Sequence, residues 1–309
     1  MNDIVEQALP FWQLDGATYA LVAARENAVF RINHKGRQFA LRLHRQGYRT
    51  DSELWSELKW MEAVANGGIT VPVPIPSVSG KVLHIIDGVQ VDVLSWLSGQ
   101  MISEIRQLPF DRIKLFENLG ATMARLHETS DAWNRPEAFE RRAWDLDGLL
   151  GDAPLWGRFW ENPQLARDDQ QLFRRFRDKA SAALSKQSKH LDYGLIHADL
   201  VGENVMLDAE NIQLIDFDDG GFGYRLFEIS TALLKHISAP DYPKLRTALL
   251  TGYGSVRAID PTLLDLFLAI RSATYVGWIM SRMGEEGAGA RSERFITRTR
   301  NLATRYLAT

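Results

Sequence analysis

Hydrophobic and polar positions change rhythm along this chain near residue 99. Before it, short runs alternate with the period of two that suits a strand with one buried face. Residues 19–24 and 28–33 are two such runs, separated by the polar step Arg25-Glu26-Asn27. Residues 37–44 form a third, after the turn sequence Asn33-His34-Lys35-Gly36. In it Phe39, Leu41 and Leu43 face one way and Ala40, Arg42 and His44 the other, which sets an arginine behind a core-like row. Thr50-x-x-Glu53 then has the form of a capping box, and Leu54, Leu58, Met61 and Ala65 share one face of the helix it opens. Asn66-Gly67-Gly68 ends that helix. The run Val71-Pro72-Val73-Pro74-Ile75-Pro76 is extended, because each proline steers its predecessor away from the helical region. Residues 81–86 and 89–97 flank an Asp87-Gly88 turn as a β-hairpin.

Beyond residue 99 the apolar spacing becomes helical. Residues 111–128 place Ile113, Phe116, Gly120, Met123 and His127 near one stripe, and 168–189, 226–237, 242–253, 261–283 and 292–306 read as further helices. A strand-rich first third followed by a helix-rich remainder predicts an α+β architecture of two lobes, 1–98 and 99–309, hinged near Ser98. Four of the nine tryptophans stand between Trp133 and Trp160, where an irregular segment packed on the larger lobe is expected in preference to a lid.

Composition narrows the function classes. The 309 residues are 45% hydrophobic and 24% charged with a net charge of −3, so no global basic field exists to hold nucleic acid or an anionic membrane. Any anionic ligand needs a local site. Cysteine is absent, which excludes thiolate chemistry and disulfides and suits a reducing cytoplasm. The first residues lack the basic-then-apolar pattern of a signal peptide, and even PTLLDLFLAI is interrupted by Asp265. A cytoplasmic protein without nucleic-acid or membrane partners is expected.

Residues 195–219, LIHADLVGENVMLDAENIQLIDFDD, concentrate polar chemistry between two apolar runs. Phosphoryl transfer from ATP needs a carboxylate to take the acceptor's proton, oxygen donors for Mg²⁺, and a cation on the phosphates. Asp199 supplies the first, and Asn204 and Asp216 supply the second. Residues 205–207 and 212–215 around the turn Ala209-Glu210-Asn211 form a short hairpin that returns Asp216 toward the loop.

The pattern H-A-D-L-V-G-E-N followed by I-D-F-D resembles the catalytic loop and metal-binding Asp of the protein-kinase-like superfamily. It is most similar to the aminoglycoside phosphotransferase, choline kinase and type II homoserine kinase branch, with D-F-D in place of D-F-G. The resemblance implies a small β-rich N-lobe and a larger helical C-lobe, an ATP- and Mg²⁺-dependent kinase, and a small-molecule hydroxyl acceptor. It makes Asp199 the catalytic base, His197 a loop-organising residue, and Asn204 and Asp216 the metal ligands. Asp218 either touches metal or substrate or caps the Gly220-Gly221 turn. Ala40 and Arg42 match the A-x-K of the third strand, with Arg for the usual Lys; arginine keeps the charge and adds a planar fork. Glu57 would fix that cation, while Glu53 is spent on the cap. The family's Gly-rich loop is replaced by AARENA, leaving Asn27 and backbone to meet the phosphates, and residues 94–99 with Ser95 and Leu97 match the adenine-binding hinge. Glu228 stands where the family often has Asp and is assigned a charge–dipole role at a helix N-terminus.

Arg271, Tyr275 and Trp278 fall on one face of a late helix and are either acceptor-pocket or core residues. The favoured acceptor is an amino alcohol, amino acid or aminosugar. The alternatives are a bacterial protein Ser/Thr kinase, since E-N-x-V and D-x-D-D also resemble the stress-response kinase A group, and a nucleotide-binding pseudokinase.

Overall fold

Two hairpins whose turns carry paired left-handed residues organise the first sheet. Lys35 and Gly36 (φ 49° and 77°) and Asp87 and Gly88 (φ 50° and 77°) supply the backbone twist that tight two-residue connections require. The sheet is antiparallel, in the order β1-β2-β3-β5-β4, from β1 (Thr18–Ala24), β2 (Ala28–His34), β3 (Arg37–Leu43), β4 (His84–Ile86) and β5 (Val89–Ser95). The structure is a computed structural model that describes residues 1–24, 27–105, 111–187 and 189–309. Arg25 and Glu26 of the expected polar step therefore lie outside the described residues.

The chain divides into two compact units, each discontinuous in sequence. One comprises Met1–Pro109, Glu128–Arg141 and Gly202–Asp218; the other comprises Phe110–His127, Arg142–Val201 and Asp219–Thr309. The first thus extends past residue 98 and takes in two later segments.

In the first unit, Phe30, Ile32, Phe39, Leu41, Leu43, Val91 and Val93 form one apolar face of the sheet. It packs with Val5 and Ala8 of α1 (Asn2–Ala8) and with Leu9 and Trp12 of the turn that follows. The opposite face of β3 and β5 carries Arg42 and Asp92, with His44 just past the end of β3, all buried. Beyond it lies α2 (Asp51–Asn66), opened by the full capping box: the Thr50 hydroxyl accepts from Glu53 N and the Glu53 carboxylate from Thr50 N. The proline-rich run is extended as expected, with Ile75 N donating to Val93 O and Ser95 N to Val73 O, both at 2.8 Å. A second sheet joins β6 (Gln100–Met101) to the hairpin of β9 (Val205–Asp208) and β10 (Asn211–Leu214).

The second unit holds a small sheet of β7 (Ala143–Trp144), β8 (Tyr193–Ile196) and β11 (Gly221–Tyr224), with β11 between the other two. Gly221, read from sequence as part of a turn, instead opens β11. The helices are α3 (Arg112–Ala132), α4 (Leu146–Leu150), α5 (Arg167–Gln187), α6 (Arg225–Leu234), α7 (Tyr242–Gly254), α8 (Leu264–Trp278) and α9 (Ala288–Leu307), and the last turns of α3 fall in the first unit. The span expected over 261–283 shortens at both ends. Asp260 accepts from Thr262 N in a local turn before α8, and residues Ile279–Arg282 tighten into a 3₁₀ turn after it. The tryptophan segment is mainly packing: Trp144 is fully buried and stacks on Phe227 at 5.4 Å, and Phe159 meets Trp160 at 4.9 Å. Among the described residues, no helix is long and apolar enough to cross a membrane.

Helices α3 and α7 approach through glycines. A Cβ on Gly252 would overlap the Glu117 carbonyl, and one on Gly120 the Leu249 carbonyl, whereas one on Gly254 would meet nothing within 4 Å. Gly252→Ala is expected to destabilise the protein by about 1–3 kcal/mol. Gly254→Ala should be neutral or stabilising by up to about 1 kcal/mol. Urea unfolding of the two variants checks the opposite signs.

Candidate active site

The buried polar face of the first unit is a network of charges. β3 and β5 pair Arg42 directly with Asp92, and the alternation of each strand turns both side chains to the same side. Arg42 grips Asp92 with two parallel bonds, Nε to Oδ1 at 2.9 Å and Nη2 to Oδ2 at 2.8 Å, and donates from Nη1 to Glu57 Oε1 at 2.8 Å. His44 Nε2 lies 2.6 Å from Asp92 Oδ2. Burial by itself raises the Asp92 carboxyl, but Arg42 and then His44 outweigh it and hold it at about 2. Glu57 is likewise lowered, with Arg42 and Arg141 overcoming its burial. Burial disfavours the Arg42 cation, yet Asp92 and Glu57 raise its pKa further above the usual value.

Arg141 carries the network to the turn after β10. It reaches Glu57 Oε2 at 3.3 Å and donates from Nη2 to the carbonyls of Phe217 (2.9 Å) and Asp218 (2.7 Å). Arg49 binds Asp218 through Oδ1 (3.2 Å) and the carbonyl (2.9 Å). Phe217 is fully buried, edge-on to Trp60 of α2 at 5.1 Å. The β9–β10 hairpin closes with Ile215 N donating to Asn204 O at 3.0 Å, which brings Asn204 and Asp216 beside each other within this unit. Asp216 is exposed and left-handed (φ 65°), while Asp218 is buried on Arg49. The structure thus gives Asp218 an arginine partner that the sequence did not indicate.

In the second unit, β8 delivers His197, Ala198 and Asp199. Ala198 sits at φ 66°, a conformation unfavourable for a residue with a Cβ, and its N–H donates to Glu228 Oε2 at 2.7 Å. Glu228 is fully buried on α6 and also meets His127 Nε2 at 3.0 Å, whose Nδ1 lies 2.8 Å from the Tyr253 hydroxyl. Glu228 stands in the first turn of α6, where the charge–dipole role was expected, and it also holds the loop directly. Burial pushes its carboxyl up to about 7, against the opposing pull of the Ala198 N–H and Arg225. His127, buried near Arg225 and Arg257, is pushed well below the ordinary histidine value. Asp199 N lies 3.4 Å from the ring Nδ1 of His197, itself fully buried. Arg271, fully buried on α8, donates from Nη2 to Asp199 Oδ1 at 2.7 Å and to the Tyr275 hydroxyl at 3.1 Å. The Asp199 side chain keeps 24% exposure.

The remaining expected nucleotide residues lie in the first unit. Asn27 Oδ1 accepts from Arg45 N at 3.4 Å between β1 and β2. Ala40 lies on β3, Ser95 Oγ accepts from Val73 N at 2.8 Å at the end of β5, and Leu97 is half-buried just beyond. Sequence reasoning missed Asp92, Arg49, Arg141 and His127. Asp92 did leave a signal: a lone carboxylate inside Val91-Asp92-Val93-Leu94 must find a cation if the strand is buried.

A buried strand arginine held by a helical glutamate, a His-x-Asp loop and a hairpin-delivered Asp are the features on which the sequence resembles kinase-type phosphotransferases. The chain belongs to the phosphotransferase enzyme family, whose model matches residues 19–266. It is 26% identical over 289 residues to amicoumacin kinase of Bacillus subtilis (strain 168), covering 86% of this chain and 82% of that protein. Homoserine kinase of Sinorhizobium medicae (strain WSM419) is 24% identical over 268 residues, covering 84% and 76%. Among solved structures, the microcompartment-associated aminopropanol kinase superposes with a TM-score of 0.88 at 29% identity, over 100% of this chain and 98% of that one. The fold is α+β and protein-kinase-like, and the protein is a kinase that phosphorylates hydroxyl groups.

Removing one partner of a buried ion pair strands the other, so Asp92→Ala is expected to cost about 3–5 kcal/mol in chemical denaturation. Glu228 has a folded pKa raised above the unfolded carboxyl value, about 4.3. Its stabilising contribution is therefore complete below that value and is lost as pH rises through about 7. Relative to Glu228→Gln, the wild-type melting temperature should fall across this window; parallel melting curves would show that Glu228 does not titrate there.

Proposed function

We propose that the protein is an ATP- and Mg²⁺-dependent kinase for a hydroxyl of a small metabolite of the amino alcohol, amino acid or aminosugar class, acting in the cytoplasm. The observation that carries this reading is Asp199: a partly exposed carboxylate on a loop whose backbone is held by Glu228 and whose side chain is held by Arg271. The acceptor oxygen attacks the terminal phosphorus, the bond from that phosphorus to the ADP oxygen breaks, and the hydroxyl proton passes to Asp199. His197 orders the loop. The chain's relatives named for small-molecule kinases support an acceptor of that size.

Residues 1–98 take the nucleotide in this reading, and 99–309 supply the catalytic loop and the acceptor site. Ala40, Ser95 and Leu97 face adenine, and Asn27 and Arg42 face phosphate. Glu57 and Asp92 occupy three of the five N–H groups of Arg42, which leaves two for a phosphate oxygen.

Asn204 and Asp216 would hold the metal. Among the described residues, no group of three or more His, Cys, Asp or Glu side chains is gathered to cage an ion. One amide and one carboxylate oxygen suit Mg²⁺, which completes its shell with phosphate oxygens and water. When bound, the ion neutralises charge on the phosphates.

Asp199→Asn should lower kcat by about 10²–10⁴-fold while retaining the nucleotide-dependent thermal shift. ADP release measured across amino alcohols, hydroxy amino acids and aminosugars checks it. Unchanged turnover in the variant would remove Asp199 from the base role.

A further inference from the structure

Beside Asp199 the second unit buries an arginine whose donors are only partly matched. Arg271 spends Nη2 on Asp199 and Tyr275, but its buried Nε and Nη1 have no hydrogen-bond partner among the described residues. Buried donors left unmatched are unfavourable and call for an explanation. The guanidinium is covered by aromatic rings, with Trp156 at 4.5 Å, Tyr275 at 4.6 Å and Phe227 at 5.3 Å. Trp156 and Tyr275 are themselves only half-buried.

A second cation stands behind the same rings. Phe295 of α9 stacks on Tyr275 at 5.1 Å, and Thr299 shares a 2.8 Å hydroxyl contact with Ser272, which sets this turn of α9 against α8 beside Arg271 and Tyr275. Arg298 lies within that turn, three residues after Phe295 and so on the same helical face. It is half-buried and makes no hydrogen bond or ion pair among the described residues. Its neighbours differ: Arg291 pairs with Glu285, and Arg300 with Asp169. Burial lowers the Arg298 pKa, Tyr275 opposes this, and Arg294 adds to it.

This arrangement discriminates by charge. An ammonium group would normally be drawn to exposed aromatic faces. Here Trp156 and Tyr275 already carry the chain's own Arg271, and Arg282 lies over Trp278 at 4.1 Å. A carboxylate would instead meet the Arg298 guanidinium, which no acid among the described residues pairs with.

We propose that Arg298, backed by Arg271, forms an anion subsite for the acceptor, so that the hydroxylated substrate carries a carboxylate. The proposal rests on Asp199 receiving the acceptor hydroxyl and narrows the acceptor to hydroxy acids and hydroxy amino acids. Arg298 recognises the anion, and Arg271 both positions Asp199 and excludes an ammonium from the rings.

The test uses the full chain with ATP and Mg²⁺ and acceptors of matched length: hydroxybutyrate, homoserine, butanediol and aminobutanol. The expected kcat/KM for the two carboxylates exceeds that for aminobutanol by at least about tenfold. Arg298→Met should bring that ratio near one by raising KM for the carboxylates, and Arg298→Lys should restore part of it. A ratio taken within each variant is insensitive to partial loss of folded protein. Preference for aminobutanol, or a ratio unchanged in Arg298→Met, overturns the subsite. Calorimetric binding of hydroxybutyrate to wild type and to Arg298→Met separates the two readings. Binding that is lost in the variant supports the subsite even if no acceptor releases ADP, in which case the phosphotransfer role of Asp199 fails alone. No carboxylate binding to wild type sinks the subsite whatever the turnover.

Discussion

Arg42 is a buried cation shared between Asp92 and Glu57, and the first unit is arranged around satisfying it. Taking a guanidinium and two carboxylates out of water is costly, and mutual attraction offsets that cost only where geometry and further hydrogen bonds are good. Here the bidentate pair with Asp92 follows from strand register, and the bond to Glu57 follows from the phase of α2. Glu57 then binds Arg141, which ties two carbonyls of the Phe217-Asp218 turn to the same network. Two strands, a helix and the turn after β10 are thus held by charge-assisted bonds whose partners cannot exchange without stranding a charge. Phe217 adds an apolar anchor on Trp60, and Asp216 is left on the exposed side.

The second unit holds its loop by a different balance. Asp92 stays ionised because arginine and histidine outweigh burial, whereas for Glu228 the backbone donors of the loop and the charges of Arg225 and Arg271 do not, and burial prevails. The same chemical group therefore serves as a permanent anion in one unit and as a titratable hold in the other. Glu228 offsets the unfavourable backbone of Ala198, and Arg271 fixes the carboxylate of Asp199 from its other side. Both residues that flank the His197–Asp199 loop are fully buried, so its geometry depends on packing around α6 and α8 more than on solvent.

Local signals carried much of this. The capping box reserved Glu53, and the family resemblance, which helical spacing alone does not supply, pointed to Glu57 as the partner of Arg42. Lys35-Gly36 and Asp87-Gly88 adopt the left-handed turns their residue types favour. The hairpin between Asn204 and Asp216 was readable because short apolar runs flank a polar turn. Strands of four residues such as β8 and β11 are too short for alternation to register, and Gly220-Gly221 reads as a turn whether or not a strand follows. Arg141 sits in an irregular segment with no periodicity, so nothing local marks it as the partner of Glu57.

What the chain's order of residues determined alone is the inventory of chemistry and its local geometry: an Arg on a strand, a Glu on the helix after it, a His-x-Asp loop, and a hairpin between Asn204 and Asp216. These depend on interactions within a few residues, where turn and helix rules operate. Tertiary structure decided which charges meet. Asp92 with Arg42, Asp218 with Arg49, Glu228 with Ala198 and Arg271 with Asp199 are separated by 30 to 169 residues. Long-range pairing of buried charges is selected by desolvation, and desolvation exists only once the fold has removed the water.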